Sequence, residues 1–290
     1  MEFLRAAEAL PSIAPRTLYH DQARAHYWSE SEAARLPAEE RSRLAARVLD
    51  EQFYYTTRYG TPLAYARPLE LLAGGSFAPA GRKLLDFGFG GLGQLRLLAS
   101  LGAEVCGVEV DPLTRALYTA PGDQGEIPGF HGRKGGRLKL VYGSFPADEA
   151  VKSAVGGGYD LFISKNTLKR GYIHPDQPVP DRQKIALGVP DAEFVTTLFR
   201  ILAPGGRALI YNICPAPNAP GKPYVPWADG RSPFPSALLE AAGFHLLAFD
   251  RDDTPAARKM AHALGWDSGD APMDLEHDLF AVYTMVEKPR

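Results

Sequence analysis

The chain has 290 residues, 45% apolar and 23% charged, enough to build one large or two small folded domains around a sizeable core. Its 32 Lys and Arg stand against 34 Asp and Glu, so the net charge of -2 offers no bulk field for a polyanion, which speaks against nucleic-acid binding. Its two cysteines, Cys106 and Cys214, lie in apolar strand-like runs, which excludes a disulfide scaffold or a four-cysteine zinc site and fits a reducing cytoplasm.

The first residues, Met1-Glu2-Phe3-Leu4-Arg5, lack a basic flank leading into a long apolar run, and no stretch of about 18 apolar residues follows anywhere. Neither export nor membrane spanning is expected. From Ala33 to Tyr55 the chain is rich in Ala, Glu, Arg and Leu, with Leu44, Val48, Leu49 and Phe53 near one helical face, so a helix is predicted there. Thr56 to Pro62 ends it with Gly60 and Pro62, and a second helix is predicted over Leu63–Leu72. After Ala73-Gly74-Gly75 the pattern changes to short apolar runs alternating with helical stretches, the signature of a parallel α/β sheet, with a boundary near residue 80. Predicted strands are Lys83–Phe87, Glu104–Glu109, Leu138–Tyr142, Asp160–Ser164, Arg207–Asn212, His245–Phe249 and Leu279–Glu287. Three Gly- or Pro-rich loops, 121–137, 169–189 and 215–232, are long enough to suggest functional segments.

The most informative stretch is Leu84-Leu85-Asp86-Phe87-Gly88-Phe89-Gly90-Gly91-Leu92-Gly93, a buried strand ending in an acid, then a Gly-rich turn into a helix. A turn without side chains lets a ligand lie against the backbone, and the free N–H groups of the following helix attract its polar atoms. About 20 residues on, the second strand ends in Glu109, where a carboxylate can take the two hydroxyls of a ribose. Gly88, Gly90 and Gly93 also satisfy the dinucleotide pattern GxGxxG, but Asp86 would repel a pyrophosphate and suits an ammonium, so the acid points to a cationic cofactor. The bland readings are that these are turn glycines, that Asp86 braces the turn, and that Glu109 caps the next helix. The cap is assigned instead to Asp111, followed by Pro112 at the first helical position.

At this point the chain resembles the class I S-adenosylmethionine-dependent methyltransferases. Asp86-Phe87-Gly88-Phe89-Gly90 is similar to their first motif and Val108-Glu109 to the acidic end of their second strand. Tyr159-Asp160-Leu161-Phe162-Ile163-Ser164 resembles their fourth strand, Arg200-Ile201-Leu202-Ala203-Pro204-Gly205-Gly206 the turn before their fifth, and Leu239-Glu240-Ala241-Ala242-Gly243-Phe244 the step before their sixth. The pieces run in the expected order over residues 81–290. The resemblance implies an α/β, Rossmann-like, mostly parallel seven-stranded sheet flanked by helices. It further implies an N-terminal helical cap or lid over 1–80 and an S-adenosylmethionine-binding domain over 81–290. Its implied cofactor contacts are Asp86, Gly88, Gly90, Glu109, Val110 and Lys165, with Arg58 and Tyr59 before the first strand reaching the cofactor carboxylate. The chain departs from the family in having Leu92 between Gly91 and Gly93. It also has Gly143-Ser144-Phe145 where an acid often meets the adenine, which leaves Ser144 to contact the ring and Phe145 to pack on it.

After the fourth strand, Lys165-Asn166-Thr167 replaces the Asn/Asp-Pro-Pro-aromatic signature of the family's nucleic-acid amino-methyltransferases, so base methylation loses its main support. Asn166, Lys169, Arg170 and Trp227 are candidate substrate contacts, and His174 and Tyr172 candidate catalytic residues, His174 having the unperturbed pKa of a general base. The competing reading is a solvated basic loop. A base is dispensable if alignment of donor and acceptor supplies the rate. Cys106 and Cys214 read as small buried residues, and His131 to Arg137 as a solvated connection. The expectation is therefore a metal-free cytoplasmic methyltransferase acting on a small molecule or peptide, with no nucleic-acid or membrane partner. The alternatives are an NAD(P)-dependent oxidoreductase and a non-catalytic S-adenosylmethionine-binding protein.

Overall fold

In chain order the strands are β1 (Arg16–His20), β2 (Tyr27–Ser29), β3 (Ala45–Leu49), β4 (Lys83–Phe87), β5 (Glu104–Glu109) and β6 (Gly125–Glu126). They continue with β7 (Arg137–Tyr142), β8 (Tyr159–Lys165), β9 (Leu202–Cys214), β10 (His245–Asp252) and β11 (Phe280–Glu287). The computed structural model describes residues 2–56, 61–75 and 78–290. All seven predicted strands are present, with β4 and β5 matching the predicted bounds. The large sheet has eight strands rather than seven because the two-residue β6, inside a predicted loop, pairs with β7. The fold is mixed α/β, and the chain divides into two compact units.

The first unit comprises Met1–Leu63, Pro79–Gly81 and Phe89–Gly143. Here β5 and β7 run parallel, from Glu104 opposite Arg137 to Glu109 opposite Tyr142, and β6 lies antiparallel on β7. Alternation does not apply to β5: Val105 through Val108 are all buried, as in a strand covered on both faces. Helix Gly93–Ser100 packs Leu97 against Ala6 of helix Glu2–Glu8, where Leu101 joins them.

The predicted helix over 33–55 is corrected here. Residues 30–33 and 38–41 form two one-turn helices separated by Pro37, which lacks the N–H to continue the first. Ala45–Leu49 is then a strand, paired antiparallel with β1 from Arg16 opposite Leu49 to His20 opposite Ala45. Val48, placed on an apolar helical face by its spacing, is 66% exposed. The helix resumes only at Glu51–Thr56, so the N-terminal segment carries a small sheet of order β2-β1-β3 and is not a purely helical cap. Local helix propensity is a weak preference, and here the ladder to β1 overrides it.

One buried carboxylate holds that segment in the unit. Asp123, 1% exposed, accepts two hydrogen bonds from the Arg16 guanidinium (2.7 and 2.8 Å), one from the Tyr54 hydroxyl (2.6 Å) and one from the Ala120 N–H (2.7 Å). The Arg16 guanidinium also lies 4.7 Å from the centre of the Tyr54 ring.

The second unit comprises Ala64–Ala78, Arg82–Gly88 and Ser144–Arg290, and its strands lie in the order β10-β11-β9-β8-β4. β4, β8 and β9 are parallel, whereas β11 runs antiparallel to both β9 and β10. The Pro-Gly-Gly step is a bulge: Tyr159 pairs with Leu202 and Leu161 with Arg207, so residues 203–206 loop out, with Gly205 at φ +77°. The core centres on Phe194, whose ring meets Phe87 at 5.4 Å and Phe234 at 5.2 Å. Asp253 (6% exposed) binds Arg67 through both oxygens (2.7 and 3.0 Å) and accepts the Tyr211 hydroxyl (3.0 Å).

Replacing Asp123 by Ala leaves Arg16 and Tyr54 without their shared acceptor in a buried site. Asp123→Ala is expected to lower the unfolding free energy by about 3 to 5 kcal/mol, read by urea denaturation. A change below about 1 kcal/mol would show that Asp123 does not anchor the segment.

Candidate functional site

The turn after β4 starts in the second unit. Asp86, fully buried, precedes Gly88, whose φ of +72° lies in the left-handed region. A Cβ there would sit 2.2 Å from the Thr167 hydroxyl oxygen, which itself donates to the Gly88 carbonyl at 3.3 Å. Gly88 is therefore required twice, by backbone conformation and by the close approach of Thr167.

The turn continues in the first unit with Gly90 at φ +60°. The Glu109 carboxylate, at the end of β5, accepts N–H bonds from Gly90 (3.0 Å), Val110 (2.7 Å) and Asp111 (3.3 Å). Burial pushes the Glu109 pKa above the usual carboxylate value, and the three N–H donors pull it back only in part. Asp111 caps the following helix through Leu113 N–H at 2.8 Å with Pro112 behind it, as its spacing predicts. The Val110 residue is 65% exposed. Two contacts brace the turn that sequence reasoning missed: Gln94 Nε2 donates to the Phe89 carbonyl (2.7 Å), and the Tyr118 hydroxyl accepts from Leu92 N–H (3.1 Å) while donating to the Tyr54 carbonyl (2.8 Å).

At the carboxyl end of β8 the second unit collects buried charge. Lys165 is 7% exposed, its Nζ 5.3 Å from the centre of the Tyr65 ring. Burial and the neighbouring Lys169 cation pull its pKa down to about 8, against the opposing pull of Asp86. Lys169 is also buried, but its Nζ donates to the Ile213 carbonyl (2.7 Å) and the Trp227 carbonyl (3.3 Å) and interacts with the Cys214 thiol. Burial lowers the Lys169 pKa and raises that of Cys214.

The loop after β8 is neither a free basic patch nor a solvated basic run. Arg170 contacts both oxygens of Asp176 (2.5 and 2.9 Å) and one oxygen of Asp229 (2.7 Å), while Asp229 also binds Arg231 (2.8 Å). Its positive charge is thus already matched. Asn166 sits at φ +64° and spends its Oδ1 on the Ile213 N–H at 2.7 Å, acting as a corner brace to β9. Tyr172 has its ring centre 5.6 Å from Lys169 Nζ. The half-exposed His174 ring is bonded to Asp191 at 2.8 Å, at the start of the helix Asp191–Ile201. Trp227 is 40% exposed in a short turn of 3-10 helix.

Ser144 is exposed, whereas Phe145 is 3% exposed and packed edge-on against Phe87 and Phe194, so its ring belongs to the core. Arg58 and Tyr59 lie outside the described residues. Among the described residues there is no cluster of three or more His, Cys, Asp and Glu able to hold a metal, and no helix is long and apolar enough to cross a membrane.

No family model and no curated protein matches the sequence. Among solved structures, the chain is similar to phosphoethanolamine N-methyltransferase 2 from Haemonchus contortus in complex with S-adenosyl-L-methionine. There the identity is 16%, over 85% of this chain and 63% of that one, with a TM-score of 0.42. It is also similar to an S-adenosylmethionine-dependent methyltransferase from Mesorhizobium loti (18% identity, 78% of this chain and 98% of that one, TM-score 0.40). A third is the [4+2]-cyclase SpnF (17%, 99% and 91%, TM-score 0.41). The functional reading therefore rests on this chain's own residues.

Gly88→Ala should destabilise the protein through both the backbone and the Thr167 contact. In the double variant Gly88→Ala/Thr167→Gly the steric part is relieved and a backbone cost of about 1 to 2 kcal/mol remains. Thermal and urea unfolding of the single and double variants measure the two parts; a double variant no more stable than the single one would remove Thr167 from the argument.

Proposed function

We propose that this protein is an S-adenosylmethionine-dependent methyltransferase acting on a small-molecule or peptide acceptor. The observation that carries the reading is the Glu109 carboxylate at the end of β5, hydrogen-bonded to the Gly90 N–H of the Gly-rich turn at 3.0 Å, with the acid Asp86 two residues before the first glycine in the sequence.

The chemistry of these groups fits the cofactor. Each carboxylate oxygen has two acceptor sites, so Glu109, with three N–H donors already bound, keeps acceptor capacity on Oε2 for one ribose hydroxyl. The turn is thereby fixed before any ligand arrives. Asp86, a buried carboxylate, supplies the counter-charge for an amino-acid ammonium and would oppose a pyrophosphate. Bound S-adenosylmethionine supplies an electrophilic methyl group on a sulfonium, and alignment of the acceptor with that methyl is what the protein must add. Within the first unit, Val110 beside Glu109 offers an exposed apolar wall for the ribose.

On the substrate side the reading departs from the sequence expectation. The Arg170, Asn166 and Lys169 side chains are committed to intramolecular partners, which leaves Trp227 as the exposed candidate wall. His174 Nε2 is bonded to Asp191 at 2.8 Å, which leaves Nδ1 as its remaining ring nitrogen for a proton.

Titration calorimetry with S-adenosylmethionine, S-adenosylhomocysteine and NAD tests the cofactor directly: both adenosyl compounds should bind and NAD should not. Binding of NAD alone would overturn the proposal. Glu109→Ala should weaken S-adenosylmethionine binding by about 1 to 3 kcal/mol, through loss of charge-assisted hydrogen bonds. The ribose needs the ionised carboxylate, and burial raises the pKa of Glu109, so affinity should fall on acidification while the pH is still above the usual carboxylate range. In Glu109→Gln that pH dependence should flatten; if it persists unchanged, another group is titrating.

A further inference from the structure

Of the two buried lysines at the end of β8, one is tied down and one is not. Lys169 Nζ is bonded to two carbonyl oxygens, whereas Lys165 Nζ lies against the face of the Tyr65 ring and, among the described residues, makes no hydrogen bond. The β4–β8 register places Asp86 opposite Ile163, and β9 places Tyr211 opposite Lys165. Side chains alternate along a strand, so Asp86, Ile163, Lys165 and Tyr211 share one face of the sheet. A primary amine, enclosed and without a hydrogen-bonded partner, thus stands on the same face as the acid assigned to the cofactor ammonium.

Resting on the methyltransferase reading, we propose that Lys165 Nζ is the catalytic base, taking the proton from an acceptor whose nucleophilic atom is a phenolic oxygen or a thiol sulfur. As the bond from sulfonium sulfur to methyl carbon breaks and that carbon bonds to the acceptor atom, the neutral amine of Lys165 receives the proton that atom carried. The sulfonium charge disappears and an ammonium charge appears on Lys165, so the number of positive charges in the enclosed site is unchanged by the reaction. That balance matters where burial makes any net change of charge costly. The acceptor class follows from base strength. A lysine amine exchanges protons efficiently with groups of comparable acidity, phenols and thiols, and poorly with aliphatic alcohols.

The groups facing the amine set its protonation. Asp86 on β4 favours the ammonium, Lys169 beyond β8 opposes it, the Tyr65 ring lies against the amine, and burial holds the Tyr211 hydroxyl, which is donated to Asp253, well above its usual pKa. With the amine already near half-protonated at pH 8, a cationic cofactor bound beside it should drive off the remaining proton.

The test reads protons on binding and needs no acceptor. Calorimetry of the full chain with S-adenosylmethionine and with S-adenosylhomocysteine at pH 8, in phosphate and in Tris, gives the protons released by each ligand. The sulfonium compound should release about half a proton more per site than the thioether. Lys165→Met and Lys165→Arg should both abolish that excess while still binding ligand, and Lys165→Arg keeps a permanent charge should Lys165→Met fail to fold. Equal release from the two ligands in the wild type, or an excess surviving in Lys165→Arg, would overturn the assignment. Failure of either adenosyl compound to bind at all would overturn the cofactor reading instead.

Discussion

A carboxylate with no solvent exposure at the end of a central strand is the constraint on which the second unit is organised. Asp86 cannot be hydrated, so its charge must be met by groups within the protein or by a ligand. Its cationic neighbour Lys165 is itself enclosed and is pushed toward neutrality by burial and by Lys169. Under the proposed function, a cofactor ammonium would add to the compensation that the protein already supplies. Sites of this kind are better explained by the ligand they receive than by the stability they confer.

The loop after β8 shows the opposite arrangement. Asn166, Thr167, Lys169 and Arg170 each have a fixed intramolecular partner, and Gly171 sits where a Cβ would lie 1.8 Å from the Pro226 carbonyl oxygen. Such saturation makes a rigid platform. Its charged groups are balanced among themselves, Arg170 and Arg231 by Asp176 and Asp229.

How much of this could be read beforehand depended on whether the partners were local. β4 and β5 are short, continuous apolar runs buried on both faces, and their bounds follow from composition alone. The Asp111 cap was legible because its acceptor and donor are two residues apart. The pairing of Arg170 was not legible because its counter-ion Asp229 comes 59 residues later, nor the packing of Phe145, whose ring meets Phe87 and Phe194 from separate elements. The helix expected over 33–55 failed for the same reason: Ala45–Leu49 is a strand only because β1, far upstream, presents a ladder. No spacing within the chain marks Tyr118 or Thr167 as neighbours of the Gly-rich turn.

Tyr118 shows what such distant partners achieve. Its hydroxyl joins the Leu92 N–H of the turn to the Tyr54 carbonyl, and the Tyr54 hydroxyl in turn meets Asp123, the acceptor of Arg16. The order of the turn is thus linked, through buried hydrogen bonds, to the packing of the N-terminal segment. Each group in the chain is both donor and acceptor or is multiply bonded, so removing one orphans the next, and the cost of loosening the segment is felt at the turn. A turn whose N–H groups are held by Glu109 and Tyr118 gains from this linkage, because its conformation is fixed by partners that are themselves ordered.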